Sequence, residues 1–144
     1  MKKLTIIYWS GTGNTAEMAD LIAEGFNSVG GDTNIVAVEN ATKEMVAEAQ
    51  YLALGCPSMG AEILEEEMMQ PFVDSLQDID FNNKIVALFG SYDWGDGEWM
   101  RNWEDQMRGF GAKLIDSGLI VNLTPEADSA KQCINLGVNL ANAN

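Results

Sequence analysis

The sequence predicts a doubly wound α/β protein: a five-stranded parallel sheet in the order 2-1-3-4-5 with helices on both faces. Three observations carry the doubly wound parallel sheet, and 2-1-3-4-5 is an order in which the loops after strands 1, 3 and 4 are neighbours. Five short apolar runs alternate with five helical patterns along 144 residues. The runs are apolar at nearly every position, as strands covered on both faces are. Parallel strands need crossover connections, and right-handed crossovers wind such a sheet in two directions from its first strand. The length and the 47% hydrophobic content fit one domain, residues 1–144, with a real core.

Residues 4–9 form the first apolar run, read as a buried strand. The helix after it carries Met18, Leu21, Ile22, Phe26 and Val29 on one face and stops at Gly30-Gly31-Asp32. A second strand covers residues 34–38, and a short helix runs from about 42 to 48. The third strand is residues 51–56. A helix over 64–77 follows, with Pro71 expected to break or restart it. The fourth strand is 85–90. The next helix, 98–110, puts Trp99, Trp103, Met107 and Phe110 on its apolar side. The fifth strand is 119–123. The last helix, 125 to about 142, lines up Cys133, Ile134, Gly137, Val138 and Ala141.

Composition narrows the function. The net charge is −14, which argues against nucleic acid, whose phosphates would be repelled. The same charge suits partners with basic docking surfaces. There is no histidine, so His-based triads and His-metal sites are excluded. Cys56 and Cys133 show neither a disulfide framework nor metal spacing, and read as packed core thiols. No apolar run is long enough to span a bilayer, and Lys2-Lys3 is not followed by a signal-peptide pattern. The expectation is a cytoplasmic monomer with no membrane association.

In doubly wound folds ligands bind outside the carboxyl ends of the strands, where strand order reverses. Three loops of unusual composition leave those ends as neighbours. The first is Ser10, Gly11, Thr12, Gly13, Asn14 and Thr15. It joins hydroxyls, an amide and glycines to a helix start, which suits a phosphate. It is not a P-loop, since no lysine lies between Lys3 and Lys43. The Rossmann fingerprint would put its third glycine at Ala16, where alanine is an allowed variant. Ordinary helix capping uses the same residue types. The second loop is Pro57, Ser58, Met59, Gly60, Ala61 and Glu62; the third is Ser91, Tyr92, Asp93, Trp94, Gly95, Asp96 and Gly97. Trp94, beside glycines, is either a loop anchor folded onto the core or a stacking face for a flat ring. In the stacking reading Met59 covers the opposite face.

Taken together, Ser10-Gly11-Thr12-Gly13-Asn14-Thr15, Gly55-Cys56-Pro57-Ser58-Met59-Gly60, Phe89-Gly90-Ser91-Tyr92 and Trp94-Gly95-Asp96-Gly97 resemble the FMN-binding loops of flavodoxins. The similarity is to the short-chain type of anaerobic bacteria and covers the whole chain. The resemblance implies a three-layer flavodoxin-like sandwich and a low-potential one-electron carrier working between redox enzymes. Non-covalent FMN would shuttle between semiquinone and hydroquinone. Carried over, Ser10, Thr12, Asn14 and Thr15, with nearby backbone N–H groups, hold the phosphate. Met59 and Trp94 flank the ring, the Gly60 carbonyl faces flavin N5, Glu62 accepts from N3–H, and N–H groups of residues 93–95 reach N1 and O2. Asp93 departs from the pattern, which has glycine there; aspartate tolerates a left-handed backbone better than most residues. In the turn 59–62 a positive φ suits Gly60 and not Ala61, which favours the form whose carbonyl accepts from N5.

No lysine or arginine occurs in the three loops, so neutral dipoles must hold the phosphate. Glu62, Glu65, Glu66 and Glu67 crowd one side; Asp93, Asp96 and Glu98 crowd the other. Each carboxylate at about 8 Å and an effective dielectric constant of about 20 disfavours an anionic flavin by about 2 kcal/mol. That keeps the second electron at low potential. An FMN-dependent quinone or nicotinamide reductase is the rival reading, but it needs a substrate pocket over the ring. A receiver domain would need acidic residues where Ser10-Gly11 and Pro57-Ser58 stand. A Cys-x5-Arg phosphatase would need arginine at Glu62.

Overall fold

The computed structural model describes residues 2–143. Five parallel strands pair in the expected order: β2 (Asp32–Ala37), β1 (Lys3–Tyr8), β3 (Tyr51–Gly55), β4 (Ile85–Tyr92) and β5 (Leu119–Asn122). The helices are α1 (Asn14–Ser28), α2 (Lys43–Glu48), α3 (Met69–Asp74), α4 (Glu98–Gly109) and α5 (Ala127–Asn142). β3 is central, and all five of its residues are buried. Alternate strand residues feed two cores. Leu4, Ile6, Ala53 and Phe89 pack with α1 and α5 on one face. Ile7, Leu52, Leu54, Val86 and Leu88 pack with α2, α3 and α4 on the other. Cys133 lies in the first core and Cys56 in the second, both fully buried. Among the described residues no helix is long and apolar enough to cross a membrane.

The α1–α5 contact sets the position of the α1 start. It has no side chains at its closest points. A Cβ at Gly25 would strike the Ile134 carbonyl, and one at Gly137 would strike the Ile22 carbonyl and the Phe26 N–H. The helices therefore meet backbone to backbone, and a methyl group at either point forces them apart. Gly137 was legible only as one member of an apolar stripe.

Several boundaries differ from the sequence reading. Trp9 lies beyond β1, half-buried at the mouth of the sheet. β2 starts earlier and stops before Val38, which opens a 3₁₀ turn. β3 ends at Gly55, whereas β4 runs on to Tyr92. α2 begins one residue late because Thr42 is its N-cap, its hydroxyl accepting from the Met45 N–H at 3.2 Å. Val29 falls outside α1 and is 47% exposed, so it is not part of the core face. The largest correction concerns residues 64–68, which are not helical. The Glu65 carboxylate accepts from the N–H groups of Glu67, Met68 and Met69 at 2.8, 2.7 and 2.9 Å, and this delays the helix start to Met69. Pro71 then sits in the first turn of α3, where its missing N–H costs nothing. A 3₁₀ turn over Ser75–Asp78 completes the segment. α4 stops at Gly109, with Trp99, Trp103 and Met107 buried and Phe110 only partly so. β5 stops at Asn122, since Leu123 turns left-handed. α5 starts at Ala127, behind a capping box between Glu126 and Ser129.

Candidate functional site

β1, β3 and β4 are adjacent, so the loops at their carboxyl ends meet. Hydrogen bonds extend the sheet into them: Trp9 N–H to Gly55 O, Cys56 N–H to Phe89 O and Ser58 N–H to Ser91 O, at 3.0, 3.1 and 3.0 Å. They bound a cleft of about 220 Å³. Of the residues singled out above, Gly11, Thr12, Asn14, Pro57, Ser58, Met59, Ser91, Tyr92 and Asp93 line it. Trp9 and Leu123 line it too, and neither was foreseen as a site residue. Leu123 is half exposed, with φ 59°, and Thr124 donates to the Asn14 side chain at 3.0 Å. The β5–α5 loop is therefore a fourth wall. The only signal for it was topological, since β5 neighbours β4. A larger concavity of about 550 Å³ lies at the opposite pole, by Lys2, Lys3 and Tyr51, and none of the three loops reaches it.

The first loop folds around Ser10. Its hydroxyl accepts from the N–H groups of Gly13 and Ala16 at 3.1 and 3.3 Å. Gly13, left-handed, is the N-cap of α1. The 15-residue helix thus presents first-turn N–H groups at the cleft, with no basic side chain in the loop. Thr15 is buried and turned inward. Its hydroxyl meets Ser91 Oγ at 3.0 Å and accepts from the Ser91 N–H at 3.4 Å. That bond ties the helix start to β4. The donor set of hydroxyls, one amide and helix-end N–H groups fits a phosphate.

In the second loop Met59 and Ile63 exchange backbone hydrogen bonds at 2.8 and 3.0 Å. The turn between them has φ 48° at Gly60 and not at Ala61, as expected, but also φ 56° at Glu62. A left-handed glutamate costs about 1–2 kcal/mol. Its side chain shows what offsets this: Glu62 Oε1 accepts from the N–H groups of Gly97 and Glu98, both at 3.1 Å, at the start of α4. Glu62 is 8% exposed and clips the second loop to the third. Its other oxygen keeps acceptor capacity. Gly95 must lack a side chain here, because a Cβ would collide with the Glu62 carboxyl group.

The third loop leaves Trp94 60% exposed, so it is not a core anchor. Asp93 is exposed but not left-handed; that conformation falls to Gly95 and Gly97. The loops carry no cation of their own, but Arg101 reaches back from α4. It donates to the Asp96 carbonyl and pairs with the Asp96 carboxylate, both at 3.0 Å. That pairing holds Arg101 above its ordinary pKa. The acidic residues also divide. Glu66, Glu67, Asp93, Asp96 and Glu98 are exposed, whereas Glu62 and Glu65 are buried structural acceptors.

Glu65 lies beneath the second loop, and its own N–H donates to Cys56 Sγ at 3.4 Å. Burial pushes that thiol up to about 12. Burial also raises the Glu65 carboxyl, but its three N–H donors outweigh this and hold it below the ordinary 4.5. A depressed folded value means stabilisation that is present above the unfolded value and lost as pH falls through the folded one. Glu65→Gln should therefore lower unfolding free energy at pH 7 by about 1–3 kcal/mol. The gap to wild type should narrow below pH 4.5. Urea titrations across that range measure it.

A family model described as Flavodoxin matches residues 6–137. The chain is 42% identical to a flavodoxin of Clostridium beijerinckii, covering 96% of this chain and 99% of that one. It is also 42% identical to a flavodoxin of Megasphaera elsdenii, covering 96% and 98%. The solution structure of the two-electron reduced Megasphaera elsdenii flavodoxin superposes with a TM-score of 0.89 at 41% identity, over 97% of this chain and 99% of that one.

Proposed function

The chain belongs to the flavodoxin family, and from that premise we propose how its loops share the work of holding FMN. It is an FMN-binding electron carrier acting with redox enzymes, and not itself an enzyme. When bound, FMN supplies the low-potential one-electron chemistry. The proposal covers which residues hold it, residues 1–144 acting as one FMN-binding domain. Ser10, Thr12 and Asn14 hold the phosphate, with the N–H groups of Gly11 and Thr15; the Thr15 hydroxyl, bonded to Ser91, contributes by fixing the helix start and not by touching the phosphate. Met59 and Trp94 cover the two faces of the ring. Pro57, Ser58, Ser91 and Tyr92 form the floor between them. The Gly60 carbonyl, at the tip of the turn 59–63 where Gly60 and Ala61 are exposed, accepts at flavin N5. Glu62, with Ala61 beside it, offers its second oxygen at the pyrimidine end, and Asp93, Gly95, Asp96 and Gly97 bring backbone there.

One observation carries this reading: the three loops converge on a single cleft, and the residue that follows its lining member Asp93 is an indole left 60% exposed. An exposed indole beside such a cleft is an available stacking face for a flat ring. FMN should quench tryptophan fluorescence, and Trp94→Ala should weaken FMN binding by about 1–3 kcal/mol. An unchanged dissociation constant would remove Trp94 from the site.

The same reading includes a cytoplasmic monomer whose partners dock through basic surfaces. The support is a net charge of −14 and the exposed carboxylates of Glu66, Glu67, Asp93, Asp96 and Glu98, in or next in sequence to the second and third loops. Electron-transfer rates to such a partner should fall as salt rises from tens of millimolar, because the Debye length shortens to about 10 Å at 0.1 M. Stopped-flow measurements test this, and a rate flat in ionic strength contradicts it.

A further inference from the structure

We propose that Arg101 is a positioning residue for the loop that carries Trp94, acting through its two-point hold on Asp96. This rests on the FMN reading above. The loop leaves β4 at Tyr92 and is gripped at its front by Asn122, whose side chain donates to the carbonyls of Tyr92 and Asp93 at 3.2 and 3.4 Å. At its rear, Arg101 Nη1 donates to the Asp96 carbonyl while Nη2 takes the Asp96 carboxylate, both at 3.0 Å. Between these grips stand exposed Trp94 and left-handed Gly95. A glycine-rich segment with an exposed indole has little packing of its own, so its order depends on its ends. Asp96 is the last residue before Gly97, the N-cap of α4. Fixing both its carbonyl and its carboxylate fixes the path back to Trp94.

Both side chains of the pair are largely exposed, so the pair adds little to global stability. Its effect is local. A lysine would keep the charge but not the planar fork that reaches a carbonyl and a carboxylate together. Position and charge can therefore be separated. Arg101→Ala removes a cation and Asp96→Ala removes an anion. Acting through charge alone, they would shift FMN affinity and the second one-electron couple in opposite directions. Acting through loop position, they shift both in the same direction.

The experiment measures FMN dissociation constants by tryptophan fluorescence for wild type, Arg101→Ala, Asp96→Ala, the double variant and Arg101→Lys. Potentiometric titrations are run in about 1 M salt, where the Debye length is about 3 Å. Each alanine variant should weaken binding by roughly three- to tenfold, and the double variant no further than either single one. Arg101→Lys should not restore wild-type affinity, and the second couple should move in the same sense in both single variants. Opposite shifts that cancel in the double variant, rescue by lysine, or unchanged constants would overturn the proposal while leaving the FMN reading standing. Wild-type protein that ignores FMN would overturn both.

Discussion

The site depends first on where α1 begins. A helix end binds an anion only if the helix cannot drift. Here the constraint is backbone contact between α1 and α5 at Gly25 and Gly137. Around it, Met18, Ala19, Ile22, Ala23 and Phe26 bury the remaining face. The Thr15–Ser91 hydrogen bond then locks the first turn to β4, the strand that leads into the third loop. Two loops of the cleft thus share one rigid reference. The second loop is tied in by Glu62, whose left-handed backbone puts a carboxylate on the start of α4.

Electrostatics follow from the same arrangement. On the proposed binding mode, a phosphate held by dipoles would leave no compensating cation beside the ring, and the exposed acids would disfavour any added electron. Arg101 tempers this locally. Its hydrogen bond to Asp96, with Glu62 and Glu98 nearby, holds its guanidinium above the ordinary arginine value. The acidic rim is therefore less uniform than a list of carboxylates suggests. Two of its members, Glu62 and Glu65, are committed to backbone N–H groups.

Much of this was legible in the sequence. The doubly wound parallel sheet followed from continuous apolar runs, and the three loops were visible as breaks in those runs. Gly60 was a sound choice for positive φ because Ala61 was the alternative. What escaped were interactions between distant residues. Glu65 read as part of an exposed helix start, and only its three N–H partners show it to be the reason the helix starts late. Glu62 gave no sign of a left-handed backbone, because the bonds that support it come from residues 35 and 36 positions away. Trp9 and Leu123 read as strand ends, and their place at the cleft follows from where the pairing stops. Val29 matched the helical period but fell one residue past the turn that buries that face.

The central claim is that the loop at the start of α1 is a phosphate site and not merely a helix cap. Comparing FMN with riboflavin on the apoprotein tests it directly. Charge-assisted hydrogen bonds contribute about 1.5–3 kcal/mol each. Losing two of them should weaken riboflavin by on the order of 100-fold or more. Riboflavin bound within a few-fold of FMN would mean that Ser10, Thr12 and Asn14 do no more than cap the helix.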